Sequence, residues 1–213
     1  PVACLIEKGQ LISKKKISKK LKKNKNDFLR SYVIEKILNN INPKTQIIST
    51  TGYTSRELNQ IRKNNQIKNG KDFYMVGGMG HTSSVGLGYS LSSKNKTICI
   101  DGDGSFLMHL GAIKTAGTFA KSNFKYILLN NNSHDSVGGQ NTYSNNIYFD
   151  KLSKSLGFKN FYSIKNRNNL KKIIKKFISS KKLGFLEVKI GNSKIKNLPR
   201  PINLIKIKDK FLK

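Results

Sequence analysis

Apolar positions along the middle of this chain alternate between two rhythms. Short runs rich in β-branched or aromatic residues, Gln46 to Ser49, Thr97 to Ile100, Lys125 to Leu129 and Phe185 to Ile190, fit buried strands. Between them, apolar residues recur at helical spacing in Ser55 to Arg62, Thr82 to Leu91, Phe106 to Phe119, Tyr148 to Leu156 and Asn169 to Ser179. Upstream, Asp27 is placed to N-cap a helix from Phe28 to Asn39, with Phe28, Val33, Ile34, Ile37 and Leu38 as its apolar stripe. Strand signals alternating with helix signals predict an α/β fold, a parallel sheet flanked by helices. The pattern covers residues 27–191. Residues 1–26, with Lys14 to Lys16 and Lys19 to Lys23, read as a strand end followed by a basic, solvated linker, and residues 192–213 as a basic C-terminal tail.

The stretch from Thr97 to Leu129 reads as one strand, helix, strand unit. Both strands of such a unit run parallel, so the loops at their C-terminal ends open on the same sheet edge, where doubly wound folds bind ligands. Gly102-Asp103-Gly104 follows the first strand and Asn130-Asn131 the second, with 25 residues between them, the length of one crossover helix. Asp103 and Asn131 are therefore expected side by side. A carboxylate and an amide oxygen suit Mg²⁺, which takes oxygen ligands and leaves positions to phosphate and water. The glycines let a diphosphate approach the amides of Gly104 and Ser105. Asparagine pairs alone mean little, because the chain holds 24 asparagines and repeats the pair at Asn39, Asn64, Asn145 and Asn168. Their placement directly after two neighbouring strands is what carries the reading.

These motifs resemble the signature of the thiamine diphosphate enzymes, in which the Asp, the second Asn and a carbonyl two residues later hold Mg²⁺ against the cofactor's diphosphate. The resemblance implies Asp103, Asn131 and the Ser133 carbonyl as metal ligands. The stretch from Met75 to Gly88 is similar to the family's thiazolium-side loop. It implies Met79 as the wedge that bends the cofactor and the Gly77 carbonyl as acceptor for its 4′-amino group. Read from the residues alone, the loop is a Gly-rich turn and Met79 a core residue. Together with Thr50 to Leu58, Asp101 to Gly111 and His134 to Thr142, these stretches resemble the phosphonopyruvate decarboxylases, with the β subunit of sulfopyruvate decarboxylase as near relative. The implied cofactor-binding positions are Thr51, Gly52, Gly77, Gly78, Met79, Gly102, Asp103, Gly104, Ser105, Asn131 and Ser133. The implied reaction is decarboxylation of a small anionic 2-oxo acid, 3-phosphonopyruvate to phosphonoacetaldehyde and CO₂, with sulfopyruvate or another 2-oxo acid as the alternative substrate.

Three further polar residues are catalytic candidates. His134 and His81 lie in the motif loops, where a neutral imidazole can donate to an oxyanion, relay a proton or simply hold a structural hydrogen bond. Asp135 either orients His134 or caps a turn. Arg56 either meets a phosphonate or forms a salt bridge with Glu57 or a partner's carboxylate, and His109 reads as a packed helical residue. In the resembled family Pro1 to Gly9 would close a preceding pyrimidine-binding domain, which carries the activating glutamate. The expected partner is thus a pyrimidine-binding domain on another chain or on a missing N-terminal half, in a homo- or hetero-oligomer.

Charge brings in a competing class. A formal net charge of +30 suits nucleic acid or an anionic surface. Yet the bases are 36 Lys against five Arg, spread along the chain, whereas base readers lean on the arginine fork. A nucleic-acid-binding module is the weaker alternative. Cys4 and Cys99 form no disulfide framework, and no apolar run approaches the ~18 residues of a membrane helix. The expectation is a cytoplasmic protein with no membrane partner.

Overall fold

The computed structural model describes residues 2–7, 9–10, 29–66, 71–191 and 197–212. Among them, β1 (Gln46–Ser49), β2 (Lys71–Tyr74), β3 (Thr97–Gly102), β4 (Phe124–Asn130), β5 (Asn160–Ile164) and β6 (Gly184–Lys189) form one all-parallel sheet in the order β2-β1-β3-β4-β6-β5. Helices α1 (Arg30–Leu38), α2 (Tyr53–Asn64), α3 (Thr82–Ser92), α4 (Asp103–Met108), α5 (Leu110–Phe119), α6 (Phe149–Ser155), α7 (Leu170–Ser179) and α8 (Leu204–Leu212) flank it.

Strand side chains alternate between faces, so neighbouring residues feed two separate cores. Ile47, Ile98, Ile100, Ile127, Leu129, Leu186 and Val188 pack against Val33 and Ile37 of α1, Leu58 of α2 and Ile174 and Phe177 of α7. Ile48, Cys99, Tyr126, Leu128 and Phe185 face the other way, onto Leu87 of α3, Phe106 of α4, Ile113 of α5 and Phe149 of α6. Every residue of β4 is buried, as expected of a central strand covered on both sides. The predicted parallel α/β sheet is thus present.

Several elements differ from the sequence expectation. The helix expected over Phe106 to Phe119 is two helices, because His109, at φ −135° and ψ 52°, breaks it. His109 is correspondingly exposed, and the packed helical role is corrected. The sequence did not mark β2 and β5. Both lie at the sheet's edges and are only half-buried over most of their length, so they lack the apolar run of a central strand. Within the expected basic tail, α8 sends Phe211 into the core against Phe73 and Tyr89, at ring separations of 5.4 and 4.8 Å. Asp27, Phe28 and most of the basic linker lie outside the described residues. No helix among the described residues is long and apolar enough to cross a membrane.

Candidate active site

From β1 the chain moves outward to β2, then crosses back to β3 on the other side of β1, so the strand order reverses between β1 and β3. At such a switch point the loops after the two strands diverge and leave a crevice at the C-terminal edge. A cavity open to solvent, with about 470 Å³ of empty space, lies there. Its walls include Thr50 and Thr51 after β1, Gly102 to Ser105 after β3, and Asn131 and Ser133 to Ser136 after β4. Met79 enters from the loop after β2, Arg30 from α1 and Tyr53 from α2.

Asp103 is 1% exposed. Burial pushes its carboxyl above the usual carboxylate range, and hydrogen bonds from Thr142 and Ser144 offset this only in part. The Ser144 hydroxyl lies 2.9 Å from Asp103 Oδ2, and Thr142 Oγ1 bonds the same oxygen. The backbone of Asn131 also faces the carboxylate. β3 and β4 are paired in register with Gly102 opposite Leu129, which brings the loops that follow them together.

The three consecutive asparagines divide their roles. Asn130 turns inward, donating to Glu187 Oε1 of β6 at 2.9 Å. Asn131 lines the cavity, and its Nδ2 donates to Asp135 Oδ2 at 2.7 Å while its Oδ1 accepts the Ser133 N–H at 3.3 Å. Asn132 sits at φ 57°, a left-handed conformation that asparagine tolerates, and its Oδ1 takes the Asn145 N–H. Ser133 bridges Asn141, but the flanking bonds use His134 N–H to Gln140 O and Thr142 N–H to Asn132 O. The amide and carbonyl of Ser133 itself are therefore not spent on the bridge.

The remaining motif residues sort by distance from the cavity. Ser105 Oγ accepts the Gly80 N–H and the Thr50 hydroxyl, each at 2.9 Å, which ties the loop carrying Met79 to the start of α4. Beneath it, burial pushes the Asp101 carboxyl up, while hydrogen bonds with Ser105 and with Tyr126, at 2.6 Å, pull it back in part. Met79 is half-buried and belongs to neither core cluster, unlike Met75. The His134 ring lies over Gly104, where a Cβ would come within 2.4 Å of Nδ1. Gly52 N-caps α2 at φ 86° beside Ser136. Gly77, Gly78 and His81 are not among the cavity's lining residues. The His81 ring instead packs against His109 with centroids 4.4 Å apart and the planes tilted by 52°, and its Nδ1 lies 3.2 Å from the Met79 carbonyl.

Two expected pairings are corrected. Asp135 does not orient His134: its carboxylate takes the Asn131 amide and Arg30 Nη2, the latter at 3.2 Å. Glu57 pairs with Arg30 Nη1 at 2.9 Å rather than with Arg56, whose guanidinium lies 5.6 Å from the Tyr53 ring.

Comparison with known proteins bears on the same loops. The family described as "Thiamine pyrophosphate enzyme, C-terminal TPP binding domain" matches residues 50–188. The chain belongs to this family. It is 38% identical over 130 residues to a phosphonopyruvate decarboxylase of Streptomyces hygroscopicus, covering 61% of this chain and 31% of that protein. It is 36% identical over 126 residues to the β subunit of sulfopyruvate decarboxylase from Methanocaldococcus jannaschii, covering 59% and 64% of the two chains. The Methanococcus maripaludis β subunit is 33% identical over 186 residues, 86% of this chain and 96% of that one. The chain thus spans about a third of the phosphonopyruvate decarboxylases it matches.

A thiamine pyrophosphate-binding domain must hold the cofactor's diphosphate, and the residues present fit that group together with a hard cation. Asp103 is a desolvated carboxylate, Asn131 and Ser133 line the same cavity with carbonyl oxygens free of the sheet, and Ser133 Oγ is buried without a partner among the described residues. Among the described residues no cluster of three His, Cys, Asp or Glu side chains could hold a metal, so a softer or more highly charged site is not on offer. Among the described residues no glutamate lines the cavity, and the buried Glu57 and Glu187 are engaged by Arg30 and Asn130. Sequence reasoning missed Arg30, Thr142 and Ser144. Arg30 carried one signal: in a chain that covers its surface with lysine, an arginine marks a place where the planar fork matters.

Proposed function

We propose that this chain supplies the diphosphate- and Mg²⁺-binding half of a 2-oxo acid decarboxylase that converts 3-phosphonopyruvate to phosphonoacetaldehyde and CO₂. The observation that carries the reading is the buried Asp103 beside Asn131 and Ser133, at the switch point and in one cavity with Met79. Asp103, the Asn131 amide oxygen and the Ser133 carbonyl would hold Mg²⁺, with Gly104 and Ser105 approached by diphosphate oxygens. Bound there, thiamine diphosphate supplies a nucleophilic carbon and an electron sink for the loss of CO₂. Met79 would support its rings, held by the Ser105 to Gly80 hydrogen bond. His134, packed over Gly104 in the cavity wall, is the residue best placed to donate to a developing oxyanion or relay a proton through its imidazole. With no glutamate among the described residues lining the cavity, the pyrimidine-activating group is assigned to a partner domain, and the working enzyme to an oligomer.

Sulfopyruvate is the second reading, favoured by the match along nearly the whole Methanococcus maripaludis β subunit. Paired with a pyrimidine-binding domain, the chain should release CO₂ from phosphonopyruvate faster than from sulfopyruvate or pyruvate in a comparison of kcat/KM. The reverse order reassigns the substrate. In the same assembly Asp103→Ala should abolish Mg²⁺-dependent cofactor binding by calorimetry and leave the fold intact; unchanged affinity overturns the site itself.

A further inference from the structure

The metal-side loop is tied to two helices by one buried guanidinium. Arg30 opens α1 and is 5% exposed. Its Nη1 meets Glu57 Oε1 of α2 at 2.9 Å and its Nη2 meets Asp135 Oδ2 at 3.2 Å, with the side chains of Glu57 and Asp135 themselves 1% and 14% exposed. Asp135 Oδ2 also accepts Asn131 Nδ2 at 2.7 Å. An ionised carboxylate can only accept, so the face of the Asn131 amide turned to Asp135 must be its NH₂. The oxygen is thereby turned the other way, where it accepts the Ser133 N–H at 3.3 Å, while the Asn131 backbone faces the Asp103 carboxylate. Without Asp135 the two ends of that amide are sterically alike and only the long Ser133 N–H bond, at 3.3 Å, favours the oxygen; an amide nitrogen facing Mg²⁺ is not a ligand.

We infer that Asp135, anchored by Arg30, is a positioning residue that selects the oxygen of Asn131 as the metal ligand; this rests on the Mg²⁺ site proposed above. Arg30 holds the Asp135 carboxylate by a charge-assisted bond, and its rigid fork spans from α2 to the loop. The Tyr53 ring, 5.9 Å from the guanidinium, closes over it. α1 therefore reaches Asn131 through two hydrogen-bonded steps, Arg30 to Asp135 and Asp135 to Asn131. Partners that orient a ligand in this way commonly change metal affinity by about 10–100-fold when removed.

The test is the Mg²⁺ dependence of thiamine diphosphate binding, titrated by calorimetry on the full chain assembled with a pyrimidine-binding domain. Wild type, Asp135→Asn, Arg30→Met, Glu57→Gln and Asp103→Ala are compared, with circular dichroism checking that each is folded. Asp135→Asn keeps the shape but presents either an oxygen or an NH₂, and should weaken Mg²⁺ by about tenfold or more. Arg30→Met should act in the same direction, and combining the two should add little. Glu57→Gln perturbs the same buried ion pair but leaves Asp135 on Asn131, so its Mg²⁺ affinity should stay near wild type. Wild-type Mg²⁺ affinity in folded Asp135→Asn overturns the inference, as does equal weakening in Glu57→Gln, which would mark the network as structural only. Mg²⁺-dependent binding that survives Asp103→Ala overturns the underlying site instead. If Arg30→Met does not fold, Asp135→Asn against Glu57→Gln decides alone.

Discussion

At the residue scale, the chain separates similar side chains by what they face. Asn130, Asn131 and Asn132 are adjacent and chemically identical, yet one braces β6, one faces the cavity and one takes the Asn145 amide. The rare arginines are spent where a planar fork has a use: Arg30 bridges two carboxylates, and Arg62 grips Asp72 through two nitrogens at 2.8 and 2.7 Å. Asp103 and Asn131 were legible in the sequence because each directly follows a strand. Ser144 and Arg30 were not, since what brings them to Asp103 and Asp135 is the packing of distant segments rather than any local spacing. Met79 shows how burial separates two readings. A buried methionine cut to alanine costs ~2–5 kcal/mol. Met79 is half-buried and outside both cores, so Met79→Ala should cost less than that in thermal unfolding while lowering turnover per folded enzyme in the assembled complex. A full core-sized loss of stability with normal turnover would return Met79 to the packing role.

At the scale of elements, the central strands were readable and the edges were not. β1, β3, β4 and β6 carry apolar residues on both faces because helices cover both, and a run of this kind survives inspection without a structure. β2 and β5 meet a neighbour on one side only, so Lys71, Asp72 and Ser163 are tolerated and the signal fades. The break at His109 was likewise invisible, because helical spacing of apolar residues continues across it. α8 was hidden by its lysines, although Phe211 closes the core beside β2. Phe211→Ala should therefore destabilise the fold by about 3–5 kcal/mol, read from urea unfolding. An unchanged unfolding midpoint would show that α8 is an appendage rather than part of the core.

At the scale of the whole molecule, charge and topology act separately. Lys and Arg exceed Asp and Glu by 30, and lysines such as Lys63, Lys171 and Lys172 are exposed at the surface. Mutual repulsion should destabilise the compact state at low salt. Raising salt from about 0.05 to 0.5 M shortens the screening length well below 10 Å, so the melting temperature should rise; a flat or falling Tm would mean the surface charge is already balanced. The sequence by itself determined the parallel α/β class, the pairing of β3 with β4 and the meeting of Asp103 with Asn131, because each follows from local rhythm plus the handed geometry of a strand, helix, strand unit. Only the tertiary structure decided that β1 and β3 flank the switch point, that Arg30 of α1 reaches Asp135, and that Ser144 closes over Asp103. Those contacts join segments whose separation along the chain carries no periodic signal, so packing alone brings them together.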